Sequence, residues 1–298
     1  MFKRLFLPLL ACLALPAQAA FNVFATVPEW GALVQAIGGD NVSVFVATNG
    51  LQDPHHVDAK PSLIARARNA DLVVATGAEL EVGWLPLVLR EAGNARVQPG
   101  LPGYFEATRY VRMLEVPSRL DRADGDVHAA GNPHVQTDPR NLLRVGEALA
   151  QRLAELDAGH AAAYQAGYQA FAAQWRAAVA DWERRAAPLR GQPVVVHHRA
   201  FSYLFDWLGI KEVGTLEPKP GVEPTVAYLS QLLAQTAAQS PKMVLRAAYN
   251  APRAADWYAE RAKVPEVVLP FTVGGSERAK DLYGLFDDTI DRLTKALR

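Results

Sequence analysis

The stretch Gly131 to Pro139, GNPHVQTDP, marks the point at which an α/β pattern gives way to a long helical region. Proline fixes its own φ and restricts the residue before it, so Pro133 and Pro139 leave this loop little conformational freedom. A histidine held in such a loop, here His134, suits a metal ligand or an acid–base group. The segments on both sides of the loop predict the fold.

Before the loop, short apolar runs alternate with segments of helical spacing. Helical segments begin at Pro28, Pro61 and Glu79. The predicted strands are Phe21–Val27, Val42–Thr48, Asp71–Thr76 and Tyr110–Glu115. Strands that alternate with helices indicate a parallel sheet built from crossover units.

After the loop, the sequence from Asn141 to Leu189 is rich in good helix formers and is split near Asp157–Gly159. Its second piece, from His160, would be about 45 Å long and suits a rod between two lobes. The α/β pattern then restarts, with predicted strands at Pro193–Val196, Ile210–Gly214, Met243–Ala247 and Val267–Phe271. We therefore predict an α/β fold of two lobes with parallel sheets, joined by one long rigid backbone helix.

The N-terminus has the features of an export signal. Lys3 and Arg4 precede the apolar run Leu5–Leu15, and Ala17-Gln18-Ala19 has the small-x-small form of a cleavage site. The sequence around Cys12 matches a lipoprotein signal poorly, so we do not expect a lipid anchor. We predict a signal peptide at 1–20, an N-terminal lobe at 21–158, a connecting helix at 159–190 and a C-terminal lobe at 191–298, in the periplasm.

Composition limits the kind of site that the exported chain can build. The formal net charge of the 298 residues is zero, so nothing indicates binding to nucleic acid or to an anionic membrane surface. Cys12 is the only cysteine and lies in the predicted signal peptide. A soft-metal site would therefore consist of histidine and carboxylate.

Three histidines share a context at predicted strand ends or loops, where parallel α/β folds bind ligands: His55, His134 and His198. Three imidazoles with one further group complete a tetrahedral zinc site. Their neighbours His56 and His197 point elsewhere and are expected in outer positions or in solvent.

A family resemblance rests on four segments in order: DPHHVDAKPS from Asp53, GAELEVGWL from Gly77, GNPHVQTDPRN from Gly131 and HHRAFSYLFDWLGI from His197. They resemble signature segments of the periplasmic metal-binding proteins of zinc/manganese ABC importers, of the cluster A-I type. The resemblance covers essentially the whole chain after the signal peptide. It implies two α/β lobes, a long connecting helix and a metal in the cleft between the lobes.

The resemblance implies that His55, His134 and His198 are metal ligands. The family's fourth ligand is usually an aspartate near the C-terminus, and the comparable stretch Leu269–Gly275 has no carboxylate. The fourth position is therefore open. The candidates are water, Glu217, Glu223, Asp53 and His128.

The same resemblance implies a receptor, not an enzyme, that delivers a divalent ion to an inner-membrane ABC permease. Three imidazoles without a carboxylate favour zinc over manganese. We expect a monomer and no nucleic acid; a metallochaperone is a further candidate partner.

Asp121 to His128 is a short counterpart of the family's collecting loop, and Asp138 is expected to orient the His134 loop. The alternative is an exported zinc hydrolase, because catalytic zinc also uses three histidines and an open position.

Overall fold

A computed structural model describes residues 20–119, 125 and 128–298. Except for Ala20, the predicted signal peptide with Cys12 lies outside these residues, as do Asp121, Asp124 and Asp126 of the predicted collecting loop. No helix in the described ranges has both the length and the apolar character needed to cross a bilayer.

Two parallel four-stranded sheets form the two lobes, as the alternating pattern predicts. The strands of the N-terminal lobe are β1 Phe21–Ala25, β2 Val42–Val46, β3 Leu72–Ala75 and β4 Tyr104–Glu106. Those of the C-terminal lobe are β5 Pro193–Val196, β6 Lys211–Thr215, β7 Val244–Ala247 and β8 Glu266–Leu269. The sheet orders are β2-β1-β3-β4 and β6-β5-β7-β8, so both lobes have the same topology. In such sheets the carboxyl ends of the strands form one binding edge.

Helices flank both sheets and several begin at the predicted signals. The helices are α1 Pro28–Gly38, α2 Pro61–Arg68, α3 Leu85–Ala92, α4 Pro139–Leu156, α5 Ala161–Ala186, α6 Ser202–Leu208, α7 Val226–Ala237, α8 Arg253–Ala262 and α9 Leu282–Ala296. Proline opens α1, α2 and α4, where its missing N–H costs no helical hydrogen bond. The predicted cap of α7 is confirmed, because the Thr225 hydroxyl accepts a hydrogen bond from the Tyr228 amide.

The strand predicted at Tyr110–Glu115 is wrong. The fourth strand lies earlier, at Tyr104–Glu106, where Phe105 is buried between two half-exposed residues. Glu115 has φ +53°, which no extended strand allows, and the Leu114 amide bonds the Tyr203 hydroxyl in the other lobe. The segment therefore contacts the other lobe and does not pair with the edge of the sheet.

The helix predicted from Glu79 begins only at Leu85. Ala78 and Glu79 have positive φ values of 47° and 67°, so the chain makes a left-handed turn before it can enter the helix. This turn lies beside the candidate metal site described below.

Helix α5 is the predicted rod. Its 26 residues span about 39 Å. Gly167 lets it approach α1, because a Cβ there would be 2.1 Å from the Ile37 carbonyl oxygen. Near its other end Trp182 stacks on Phe286 of α9, with ring centroids 5.1 Å apart. One continuous cluster of buried residues runs from the N-terminal sheet through α5 to α9.

The two lobes also meet backbone to backbone at Gly50, in the loop after β2. A Cβ at Gly50 would lie 2.1 Å from the carbonyl carbon of Gly274, in the loop after β8. Only glycine allows this approach, so the position of the β2–α2 loop depends on the opposite lobe.

Replacing Gly50 with alanine is expected to destabilise the fold by about 1–3 kcal/mol, because the new methyl group overlaps the Gly274 backbone. The urea midpoint should fall. Gly146→Ala is the control: its methyl group would be 3.4 Å from the nearest atom, and alanine is the better residue inside α4. Equal midpoints for Gly50→Ala and the wild type would contradict the close contact.

Candidate metal site

The three predicted histidines converge although they are far apart in sequence. His55 lies in the loop after β2, His134 lies before α4, and His198 is the second residue after β5. One possible ligand atom from each lies within 4.8 Å of the other two. The carboxyl ends of strands in both lobes therefore contribute to one cluster in the cleft.

The ring of His55 is oriented by Asp53. Its Nδ1 lies 2.8 Å from Asp53 Oδ1, and the same oxygen accepts the His55 amide at 2.9 Å. Burial acts to raise the pKa of Asp53, but the hydrogen bond and the charge of His55 outweigh it and lower that pKa. With Nδ1 engaged, Nε2 of His55 is buried and has no hydrogen-bond partner among the described residues.

The ring of His198 is oriented in the same way by Glu217. Its Nδ1 lies 2.7 Å from Glu217 Oε2, and its Nε2 lies 3.3 Å from Nε2 of His134. Two nitrogens bound to one tetrahedral zinc ion are about 3.3 Å apart, given zinc–nitrogen bonds of about 2.0–2.1 Å. This pair of rings thus already has the spacing of two zinc ligands.

His134 is the most deeply buried of the three, with 1% of its surface exposed. Burial lowers its pKa well below the ordinary value, and the neighbouring His55, His198 and His128 add to the effect. A neutral imidazole is the form that binds metal. The backbone around this ring is fixed, because the His134 amide donates to Asn132 Oδ1 at 3.0 Å.

Asn132 also joins the loops of His134 and His198. Its Nδ2 donates to the Arg199 carbonyl at 2.7 Å and to Glu115 Oε2 at 2.9 Å. Ser202, at the start of α6, donates to the other oxygen of Glu115 at 2.9 Å. These bonds hold the two lobes together beside the cluster.

A fourth histidine, His128, approaches the cluster. Its ring centroid is 5.4 Å from that of His55. Burial lowers its pKa to about 4, the charges of His55 and His198 act in the same direction, and a hydrogen bond to the backbone of Ala78 opposes them. Its Nε2 is buried and lacks a partner in the described part of the chain. The left-handed turn at Ala78 and Glu79 supports this arrangement, because Glu79 Oε2 accepts the Ala129 amide at 2.5 Å.

The other fourth-ligand candidates are engaged elsewhere or exposed. Asp53 and Glu217 accept hydrogen bonds from the ring nitrogens of His55 and His198. Glu223 is exposed, and its charge acts on His197. His56 is exposed as well.

Two residues, Asp138 and His197, lie outside the cluster itself. Asp138, which we expected to orient the His134 loop, caps α4: its carboxylate accepts the Arg140 amide at 2.8 Å, and a carboxylate is a favoured N-cap. His197 is 3% exposed and lies 3.8 Å from Glu217, so it is buried behind the site.

Aromatic side chains form the wall where the family's aspartate would be expected. Phe271, with φ +23°, packs edge-on against His134 at 5.3 Å between ring centroids. Tyr249 packs on the same Phe271 ring at 5.3 Å. The sequence shows no signal for this wall, because the contact between Phe271 and His134 joins loops of opposite lobes.

Two buried carboxyl groups at the ends of β1 and β3 were also not predicted. Glu81 is stabilised by donors: the Thr26 hydroxyl and the Thr76 amide at 2.7 Å each, and the Gly77 amide at 3.1 Å. Glu29, in the first turn of α1, accepts the hydroxyl of Thr272 from the other lobe. Burial raises the pKa of Glu29 to about 7, and the charge of Glu81 acts in the same direction.

Two parallel α/β lobes, a rigid connecting helix and a cluster of imidazoles between them define the class of periplasmic metal-binding solute receptors. Residues 23–296 match the family model described as ZnuA, the periplasmic component A of zinc-uptake complexes, and the chain belongs to this family. The fold agrees: a crystal structure of ZnuA superimposes with a TM-score of 0.78 at 21% identity, covering 94% of this chain and 100% of that one.

Several curated proteins are similar in sequence to parts of this chain. The chain is 28% identical to the iron-binding protein YfeA of Yersinia pestis over 65% of this chain and 58% of that protein. It is 21% identical to the zinc-binding lipoprotein AdcA of Streptococcus pneumoniae over 72% of this chain, but only 43% of AdcA. The chain therefore matches about half the length of these two relatives. With ZnuA of Paracoccus denitrificans the identity is 23%, over 72% and 73% of the two chains.

The raised pKa of Glu29 predicts a pH-dependent stability for the metal-free protein. The folded state holds the proton up to about pH 7, whereas an ordinary glutamate releases it near 4.5. The stabilisation from this group is thus complete below pH 4.5 and is lost as pH rises to 7, by about 3 kcal/mol. Glu29→Gln should remove this loss, so its advantage over the wild type in urea unfolding should grow between pH 5 and 8. A difference that is constant with pH would contradict the prediction.

Proposed function

We propose that the protein is a periplasmic receptor that binds one divalent metal ion through Nε2 of His55, His134 and His198. The observation that carries this proposal is the orientation of His55 and His198 by Asp53 and Glu217, which leaves both Nε2 atoms directed into one cluster. Metal-binding histidines usually donate their second nitrogen to such a carboxylate, and the partner increases ligand basicity.

His128 is our choice for the fourth ligand. It repeats the arrangement of His55 and His198: the Ala78 backbone engages one ring nitrogen, and the other is buried without a partner among the described residues. A buried ring nitrogen without a hydrogen-bond partner is unfavourable. A bound metal ion would remove this cost, because the nitrogen lone pair would coordinate the ion. Four imidazoles would complete a tetrahedron.

Zinc is the cargo that this set of donors favours. Imidazole binds zinc well, whereas manganese prefers carboxylate and water oxygens and stands below zinc in the order of affinities. The carboxylates nearest to the cluster, Asp53 and Glu217, are engaged by histidine rings. The solved relatives include a manganese-bound and a cadmium-bound periplasmic protein of Candidatus Liberibacter asiaticus, both at 16% identity, so the fold alone does not select the ion.

Delivery would be to an ABC permease of the inner membrane after export through the signal peptide at 1–20. In this proposal the lobes 21–158 and 191–298 are joined by the helix at 159–190. The hydrogen bonds of Asn132 and the contact at Gly50 cross the cleft, and α5 packs on both lobes, so release follows loop movement and not a wide hinge opening. In this proposal the receptor acts as a monomer.

We also propose that the protein is not an enzyme. A hydrolase needs a general base within reach of a metal-bound water. Asp53 and Glu217 are committed to His55 and His198. The zinc-loaded protein should therefore turn over no ester, peptide or phosphate substrate. Zinc-dependent hydrolysis that is lost with His134→Ala would support the hydrolase instead.

Alanine at His55, His134 or His198 should each weaken zinc binding by more than about 100-fold, because an ion loses a direct ligand and not only an outer partner. Competition titration with a zinc chelator measures the change. His56→Ala is the matched control, since His56 is the exposed neighbour of His55, and its affinity should equal that of the wild type. Unchanged affinity in any of the three ligand variants would refute the assignment.

His128→Ala should weaken zinc binding by about 10-fold, because water can take the vacated position at lower affinity. The loss should be smaller for manganese, which gains less from imidazole. Parallel titrations with both ions measure the ratio. If His128→Ala leaves the zinc affinity intact, another group completes the coordination.

A further inference from the structure

The hydroxyl group of Tyr249 has no role in the metal cluster or in the packing of the core described so far. Tyr249 lies just after β7, and its hydroxyl oxygen is buried without a hydrogen-bond partner among the described residues. The ring is fixed, because it packs edge-on against Phe271, which in turn packs against His134. A rigid ring therefore holds an unpaired donor next to the site.

Two carboxylates act on this hydroxyl, and both belong to the site. Burial raises the pKa of Tyr249 well above its ordinary value, and the charges of Asp53 and Glu217 act in the same direction. Asp53 comes from the N-terminal lobe and orients His55, whereas Glu217 comes from the C-terminal lobe and orients His198. The hydroxyl is thus within electrostatic range of the outer partner in each lobe.

A buried donor without an acceptor destabilises the state in which it occurs, so a state that supplies an acceptor is favoured. Metal binding can supply an acceptor, because it moves groups of the site. The ligand atoms of the three histidines lie within 4.8 Å of one another, whereas a tetrahedral zinc ion brings its nitrogens to about 3.3 Å. Nε2 of His134 and Nε2 of His198 have this spacing already, whereas Nε2 of His55 has no hydrogen-bond partner among the described residues. The closing movement therefore falls on His55 and on the Asp53 carboxylate bonded to it.

We propose that Tyr249 is a positioning residue for metal binding: in the loaded protein its hydroxyl donates its one hydrogen bond to the Asp53 carboxylate of the opposite lobe and so joins the two lobes behind the bound ion. This inference rests on the proposed metal-binding function. It adds an outer interaction that responds to loading, whereas Asn132 joins the lobes in the metal-free protein as well.

The test is Tyr249→Phe, which removes only the hydroxyl. The metal-free variant should have a urea midpoint equal to or above that of the wild type, since an unpaired buried polar group is lost. Its zinc affinity should fall by about 10-fold, the range for an outer partner of a metal ligand. These opposite signs distinguish a positioning role from a packing role, which would lower both quantities.

Tyr258→Phe is the matched control. Tyr258 is a buried tyrosine of the same lobe, but its hydroxyl bonds the Thr236 hydroxyl at 2.6 Å. Its loss should lower the urea midpoint and leave the zinc affinity unchanged. The two variants should therefore show reversed patterns.

A double-mutant cycle with Asp53→Asn identifies the partner. If the hydroxyl acts through Asp53, the losses of zinc affinity in Tyr249→Phe and Asp53→Asn should be less than additive. Wild-type zinc affinity in Tyr249→Phe, a lower urea midpoint in that variant, or full additivity would overturn the proposal. Failure of the wild type itself to bind zinc would refute the proposed function instead, so the two failures are distinguishable.

Discussion

The hydrogen bond between a histidine ring and an acceptor behind it is the interaction on which the site depends. An imidazole with a free ring can rotate and can carry its proton on either nitrogen. Asp53 and Glu217 remove both freedoms for His55 and His198, and the Ala78 backbone does the same for His128. The cluster is therefore directed at one point before any ion arrives, so binding requires little ordering of side chains.

That orientation would be of little use if the lobes moved independently. The cluster takes its rings from both lobes, and the spacing of His134 and His198 is set by Asn132, which bonds the backbone next to each ring. Helix α5 and the continuous core hold the lobes at fixed separation over a longer range. A close backbone contact at Gly50 then fixes the start of the loop that carries His55. Preorganisation of the site is thus a property of the whole fold.

Local conformation at the site departs from ordinary preferences in places that the fold can support. Ala78, Glu79 and Phe271 have positive φ values, which are costly for residues with a side chain. The first two form the turn that meets the His128 segment, and Phe271 closes the wall beside His134. The buried carboxyl groups of Glu29 and Glu81 lie near the same cleft. Strained backbone and costly buried carboxyl groups thus occur in the same part of the molecule.

The sequence by itself determined the α/β class, the repeated lobe pattern, the long helix and the grouping of His55, His134 and His198, because periodicity, proline positions and short motifs are local signals. It did not place β4, since the three residues from Tyr104 to Glu106 are too short to show alternation. It left Asp53 and Glu217 as candidate ligands, and only the tertiary structure shows that they accept hydrogen bonds from histidine rings. The Glu29–Thr272 bond and the Phe271–His134 contact could not be predicted, because each joins residues of opposite lobes whose meeting depends on how the lobes pack.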